Sequence, residues 1–209
     1  MNKNRCLDVM ARPPEKGKVK TRLANKLGDD QALAVYIALL NHTSRECIES
    51  GIPVRWFWSE PTIYPISSTF AVHKQQGKHL GQRMENAFET AFDDGMDEVV
   101  MIGTDCPEIT AGRLLEAFDD LARVDVVIGP AKDGGYYLIG MKAFHPDLFK
   151  EMPWSSGYLL QATLERCRSL QLSFILLPAL LDIDELEDLQ SSSMAFMVNA
   201  EVFKSEART

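Results

Sequence analysis

Apolar positions along the chain change period repeatedly, and the changes mark its elements. Residues 6–10 form an apolar run of strand length. Over 29–49, Leu33, Ile37 and Leu40 recur at helical spacing, and Gly51 follows as a stop. Val54–Trp58 and 70–73 read as strands. Over 81–92, Met84, Ala87, Phe88 and Ala91 share one helical face, and Gly95 closes the helix. Residues 98–103 and 124–129 are nearly continuous apolar runs, the pattern of strands buried on both faces. Between them Thr110 is placed to cap a helix running to about Arg123. Tyr136–Met141 reads as a strand, Ser155 or Ser156 as the cap of a helix reaching about Arg168, and 172–177 as a strand with a short extended piece behind it at 179–183. A last helical pattern covers 193–204.

Strands that alternate with helices predict an α/β fold with a mainly parallel sheet covered on both faces. No internal repeat or interdomain linker interrupts the pattern, so a single domain over 1–209 is expected. In such folds ligands bind at the carboxyl ends of the strands. The chemistry is therefore sought just after each strand.

After the first strand comes ARPPEKGKVKTRLA, with five cations between Arg12 and Arg22 against the one anion Glu15. The whole chain carries a net charge of −8, so this +4 segment is a local feature on an acidic protein. It predicts an anion cradle. Gly17 allows close backbone approach, Lys16, Lys18 and Lys20 supply charge, Arg22 can fork onto a phosphate, and a helix start near Thr21 adds amide donors. Neither a P-loop nor a G-x-G-x-x-G fingerprint is present. The acidic balance argues against a nucleic-acid binder.

After the buried run VVMIG come Thr104-Asp105-Cys106-Pro107. A carboxylate at a buried strand end faces the ligand crevice. Opposite a phosphate it needs a cation between, and Mg²⁺ (or Mn²⁺) binds one or two carboxylates together with phosphate oxygens. A plain turn aspartate remains the alternative. After the next buried run come Asp133-Gly134-Gly135, either a tight turn or a loop against which a ligand lies. Asp182 and Asp184 fall on one side of an extended segment; one is a candidate second ligand, although Asp184 can instead cap the following helix. Gln76, Gly81 and Arg83 follow the third strand, and a glutamine's paired donor and acceptor match a nucleobase edge.

Cys6, Cys47, Cys106 and Cys167 are scattered with no metal-ligand spacing, which reads as reduced thiols in a cytoplasmic protein. No run approaches the length of a membrane helix, and the apolar patch near the N-terminus is too short for a signal peptide.

The blocks K-V-K-T-R-L, Q-x-x-x-L-G-x-R-M, I-G-T-D-C-P, G-P-A-x-D-G-G-Y-Y-L-I-G, W-S and D-I-D, in that order over about 7–189, resemble one family. It is the radical-SAM/selenodomain-associated transferase 1 family, often described as glycosyltransferases of arsenosugar biosynthesis. The resemblance implies the glycosyltransferase A fold of nucleotide-diphospho-sugar transferases. It implies that Lys16, Lys20 and Arg22 hold nucleotide phosphates, that Gln76, Gly81 and Arg83 read the base, and that Asp105 and Asp184 bind Mg²⁺. Asp133, Gly134 and Gly135 would line the acceptor or sugar pocket, with Asp133 the candidate general base. Two departures stand out. D-I-D-E replaces the usual D-x-D-T, and Gly103 stands where many glycosyltransferases carry the first aspartate of D-x-D. The expected activity is transfer from a nucleotide sugar to a small-molecule acceptor. Nucleotidyl transfer from a nucleoside triphosphate to a phosphorylated acceptor, and nucleotide binding without catalysis, are the alternatives.

Overall fold

The computed structural model describes residues 3–199. Seven strands form one sheet: β1 (Arg5–Ala11), β2 (Val54–Trp58), β3 (Ala71–Lys74), β4 (Glu98–Ile102), β5 (Val126–Pro130), β6 (Tyr136–Met141) and β7 (Phe174–Leu176). Their order across the sheet is β3-β2-β1-β4-β6-β5-β7. Every pairing is parallel except those of β6, which runs antiparallel to both β4 and β5. The mainly parallel α/β fold expected from the alternating pattern is present. The reversal of β6 matters for function, because the start of β6 meets the carboxyl ends of β1 and β4 at one edge.

The helices are α1 (Thr21–Leu27), α2 (Asp29–Ser50), α3 (Leu80–Asp93), α4 (Ala111–Leu121), α5 (Leu159–Ser169) and α6 (Leu186–Ser191). Side chains alternate across the sheet, so each strand feeds two cores. Leu7, Val9 and Trp56 pack with Leu40 of α2 and Phe118 of α4 on one face. Phe57, Met101 and Ile139 pack with Phe88 of α3 and Cys167 of α5 on the other. A smaller cluster joins Leu23 of α1, Leu39 of α2 and Leu189 of α6.

The caps follow the sequence in one case and depart in another. Thr110 accepts a hydrogen bond from the Arg113 amide at 3.1 Å and starts α4 as expected. Ser155 and Ser156 do not cap α5. The Ser156 hydroxyl instead closes a turn, donating to the Pro153 carbonyl at 2.7 Å and accepting from the Tyr158 amide at 3.3 Å, and the helix begins only at Leu159. Of the expected C-terminal helix, Ala195–Asn199 is a short 3-10 turn and residues 200–204 lie outside the described residues. Among the described residues no helix is long and apolar enough to cross a membrane.

One buried charge departs from the apolar reading of β1. Asp8 is fully buried and takes a bidentate contact from Arg55 of β2, at 2.8 and 2.7 Å. Arg55 also donates to the Ala87 carbonyl of α3 at 2.7 Å, so the pair ties β1 and β2 to the helix above them.

Candidate functional site

A cavity of about 640 Å³ opens at the sheet edge where β1 and β4 end and β6 begins. The first wall is the loop from Arg12 to Arg22. Its entry is pinned by Tyr36 of α2, whose hydroxyl donates to the Arg12 carbonyl and accepts from the Arg12 amide, both at 3.0 Å. Its exit is Lys20, which sits at φ 48 in the left-handed region just before α1. That conformation is costly for a residue with a side chain and persists where surrounding contacts enforce it.

The contacts that enforce it are ionic. The Lys20 side chain is only 4% exposed. Its ammonium bonds the Asp105 carboxylate, donates to the Ile183 carbonyl at 2.6 Å and lies 3.6 Å from Asp184. Burial alone works against the charged form, but the Asp105, Asp184 and Asp182 carboxylates outweigh it and hold the Lys20 pKa above its ordinary value. Arg22 approaches Asp184 at 3.9 Å from solvent. Backbone bonds fix this meeting: the Ile183 amide donates to the Asp105 carbonyl at 2.9 Å, and Leu180 exchanges bonds with Pro130 and Lys132 at 3.0 and 3.1 Å.

Asp184 is free to face the cavity because it does not cap α6. Glu185 takes the cap position and forms a capping box with Asp188, whose carboxylate accepts from the Glu185 and Asp184 amides at 2.8 and 3.0 Å. The D-I-D-E spelling thus supplies a cap at its fourth residue. Asp182 also lines the cavity, and its Oδ1 is buried with no hydrogen-bond partner among the described residues. Burial, reinforced by the Asp105 and Asp133 charges, pushes its carboxyl up to about 7. Cys106 borders the cavity as a buried thiol pushed up to about 12 by burial and the neighbouring Asp182, so it is no nucleophile near neutral pH.

The other expected residues divide. Lys20, Arg22, Arg83, Asp105 and Asp184 line the cavity, as do Arg12 and Lys18. Lys16 does not: it turns outward to Asp30 at 2.6 Å. Gln76 is exposed, and it is the neighbouring Gln75 that is buried in the cavity wall, donating to the Ala11 and Phe57 carbonyls at 3.0 Å each. Arg83 bonds the Gln75 side chain at 3.3 Å and the Gly77 carbonyl at 3.1 Å. The resemblance pointed to Gln76, one residue past the glutamine that the chain turns inward after β3.

Gly81, Asp133, Gly134 and Gly135 do not line the cavity either, and each has a packing role. Trp154 lies where a Gly81 side chain would stand. Gly134, at φ +89, presses against the Gly157 carbonyl, and its own carbonyl accepts from the Leu160 amide at 2.9 Å. Asp133 accepts from the Gly135 amide at 2.8 Å, closing the turn. The D-G-G turn therefore buttresses the Trp154 loop, and that loop forms the wall. At a register shift between Gly129 and Pro130, Pro130 pairs with Tyr136 and Gly129 with Leu138, and the alternation of the strand sends Tyr136 and Tyr137 to opposite cores. The two aromatics that follow the D-G-G turn, Tyr136 and Tyr137, do stand in the wall, as the sequence suggests for the functional form of that loop. Trp154 was not among the expected site residues, and the W-S spelling was the available signal.

A crystal structure of a candidate nucleotide-diphospho-sugar transferase from Desulfovibrio desulfuricans G20 is 30% identical and superimposes with a TM-score of 0.87, covering 98% of each chain. Rv0371c from Mycobacterium tuberculosis H37Rv is 12% identical with a TM-score of 0.60, over 91% of this chain and 97% of that one; a structure of the same protein in complex with manganese gives 0.52. A CMP:2-keto-3-deoxy-manno-octonic acid synthetase complexed with CTP is 11% identical with a TM-score of 0.56, over 94% and 99% of the two chains. These likenesses agree on the nucleotide-diphospho-sugar transferase type of fold. No curated protein matches the chain. A family profile described as "Uncharacterized protein conserved in bacteria (DUF2064)" matches residues 21–156, from the α1 cradle through Asp105 to the Trp154 loop, and the chain belongs to that family.

Proposed function

We propose that the chain is a metal-assisted transferase that moves a glycosyl group from a nucleotide sugar to a small-molecule acceptor. The observation that carries this reading is the junction of Lys20, Asp105 and Asp184 in one cavity, flanked by Arg12, Lys18 and Arg22. Cations on one wall and carboxylates on the other suit a diphosphate with a divalent ion. The D. desulfuricans relative is described as a nucleotide-diphospho-sugar transferase, and the manganese and CTP complexes of the distant fold relatives support a metal and a nucleotide.

The residues present fit Mg²⁺ or Mn²⁺. Asp105 and Asp184 share a single ammonium, and the buried Asp182 Oδ1 has no partner among the described residues. No group of three or more His, Cys, Asp or Glu among the described residues makes an all-protein cage. Mg²⁺ needs none, since one or two carboxylates plus phosphate oxygens and water suffice. Asp105 and Asp184 would hold the ion, which when bound neutralises charge on the diphosphate. The chain's own part is electrostatic. Lys20 and Arg22 hold the phosphates and stabilise the charge that grows on the departing diphosphate. Tyr36 fixes the loop that carries them, and Gln75 with Arg83 closes the cavity floor. The G-P-A-x-D-G-G-Y-Y-L-I-G block supports placing the chain in the radical-SAM/selenodomain-associated transferase 1 group, acting as one cytoplasmic domain.

Nucleotidyl transfer is the second reading. It is favoured by Gly103 in place of a second carboxylate beside Asp105, and by four cavity cations on one loop, which suit a triphosphate. Thermal shift against nucleoside triphosphates and nucleotide sugars, with and without Mg²⁺, identifies the donor, because a ligand of the native state raises its stability. Product analysis then separates the readings: a nucleoside diphosphate supports glycosyl transfer, and pyrophosphate supports the second.

A further inference from the structure

The phosphate chemistry uses the part of the cavity where β1 and β4 stop. Another part lies beyond the ends of β2 and β3, where the lining is Ser59, Gln75, His79, Leu80 and Arg83. Gln75 follows β3 and Asp105 follows β4, three strand positions apart in the order β3-β2-β1-β4, or about 14 Å across the sheet. The cavity is thus longer than a bare diphosphate needs, and the added length runs toward Arg83.

Backbone acceptors at this end are already taken. The Ala11 carbonyl accepts from the Ser59 amide at 2.9 Å and from Gln75 Nε2 at 3.0 Å. The Phe57 carbonyl accepts from Gln75 Nε2 at 3.0 Å, and the Trp58 carbonyl from the Gln75 amide at 2.9 Å. Two carbonyls on Nε2 fix which way the buried Gln75 amide points, since a flipped amide would set its oxygen against both. Its Oε1 is thereby committed to Arg83, accepting from Nη1 at 3.3 Å, while Arg83 Nε donates to the Gly77 carbonyl at 3.1 Å. The guanidinium is tethered at two points before any ligand arrives. Its Nη2 makes no hydrogen bond among the described residues, and Arg83 is partly exposed in the cavity wall. Nδ1 of the exposed His79 accepts from the Gln82 amide at 3.3 Å, which leaves the ring hydrogen on Nε2. What remains for a ligand is donors, Arg83 Nη2 and His79 Nε2, with the Ser59 hydroxyl able to act either way. Leu80, 45% exposed at the start of α3, adds an apolar surface for a flat ring.

We propose that this end of the cavity seats the nucleobase and selects a base that offers a carbonyl oxygen there over one that offers an amino group. Arg83 donates to that oxygen, and Gln75 is the positioning residue that aims the guanidinium. The assignment rests on the nucleotide reading of the Lys20–Asp105 end. Hypoxanthine and adenine make the comparison cleanly: the rings match in size, and at C6 one carries an oxygen and the other an amino group. Against the free Nη2 hydrogens the oxygen completes a charged hydrogen bond, whereas the amino group sets donor against donor and leaves both without a partner. The same pairing of a guanidinium with a base oxygen discriminates bases in nucleic-acid recognition.

Calorimetry on the whole chain with Mg²⁺ compares inosine diphosphate, adenosine diphosphate and inorganic pyrophosphate. Inosine diphosphate is expected to bind about ten- to a hundredfold tighter than adenosine diphosphate, the range for one charged hydrogen bond. Arg83→Met should bring inosine diphosphate down to the adenosine diphosphate level and leave pyrophosphate binding unchanged. Gln75→Met should shrink the ratio between the two nucleotides while pyrophosphate binding stays, whereas a merely structural role for Gln75 would weaken all three ligands together. Equal nucleotide affinities in the parent, a ratio that survives Arg83→Met, or pyrophosphate binding that falls together with inosine diphosphate in that variant would each overturn the assignment. If pyrophosphate binding depends on Lys20 while the two nucleotides bind equally, the base assignment fails alone. If none of the three ligands binds, the nucleotide reading itself fails and this assignment falls with it.

Discussion

Lys20→Met tests the site most directly, because it is expected to act in opposite directions on different ligands. The substitution keeps the aliphatic stem and removes the ammonium. In the free protein that ammonium is almost fully buried, and burying a charge costs several kcal/mol before pairing repays it. Repayment comes from charged hydrogen bonds to Asp105 and the Ile183 carbonyl, worth about 1.5–3 kcal/mol each. The terms nearly cancel. Asp105 and Asp184 are 46% and 51% exposed, so water can solvate them once the lysine is gone, and neither is stranded. Stability should therefore stay within about 1 kcal/mol of the parent, or roughly 2–4 °C in melting temperature for a chain this size. Nucleotide binding should not escape. Losing one or two charged hydrogen bonds to a diphosphate costs about 2–4 kcal/mol, roughly 30- to 1000-fold in Kd. Mn²⁺ alone should bind more tightly to the variant, because a competing cation has left the Asp105–Asp184 pair. Calorimetry with a nucleoside diphosphate and with Mn²⁺ separately, beside a thermal melt, reads all three quantities. A variant that melts far below the parent yet binds nucleotide as before would refute the reasoning, since Lys20 would then be a structural residue.

Four further outcomes are expected. Asp105→Ala should abolish Mg²⁺-dependent nucleotide binding by calorimetry while the circular dichroism stays native, and undiminished Mg²⁺ dependence would remove Asp105 from the metal site. Asp182→Asn should raise the melting temperature at pH 8 and leave it unchanged at about pH 4: with a carboxyl near 7 in the fold against an ordinary value near 4, the native state binds the proton more tightly, so this group's effect on stability turns unfavourable as pH rises from about 4 to 7. A melting curve whose difference from the parent ignores pH would contradict that sign. Gly81→Ala should cost about 1–3 kcal/mol, the range for overpacking, because the new methyl displaces Trp154; a near-neutral denaturation midpoint would show that the indole moves freely. The four buried thiols, with Cys6, Cys47 and Cys106 pushed up to about 12 and Cys167 to about 11 by burial, should resist iodoacetamide at pH 8 until denaturant is added; rapid native labelling of Cys106 would reopen it as a reactive group.

Much of this architecture is legible in local sequence, and the reasons are physical. Within the runs at 98–103 and 124–129, Glu98–Ile102 and Val126–Pro130 are buried throughout, so near-continuous apolar composition marks central strands. The basic loop and Asp105 are legible because strand ends in parallel sheets meet at one edge. Asp8 is not, since its partner Arg55 lies on another strand and only the parallel register of β1 with β2 joins them. The choice between Asp184 and Glu185 as the α6 cap depends on the local backbone at that corner, which periodicity does not resolve. Gln75 and Gln76 differ only in which side of the chain faces inward. The Trp154 wall is the largest omission. It is assembled from a loop between β6 and α5 that touches Gly81 of α3 and Gly134 of the D-G-G turn, two contacts far apart along the chain.

The antiparallel insertion of β6 has a consequence for how such a protein can change its specificity. Because this strand enters the ligand edge by its beginning, the five residues from Ala131 to Gly135 deliver both Tyr136 and Tyr137 to the cavity, one toward each core. A one-residue slip of the strand's entry would swap the faces that Tyr136 and Tyr137 take, and so change the cavity wall with no substitution at either position. In this architecture the spacing of a turn, more than the identity of any residue in it, is the natural dial for retuning what the far side of the cavity accepts.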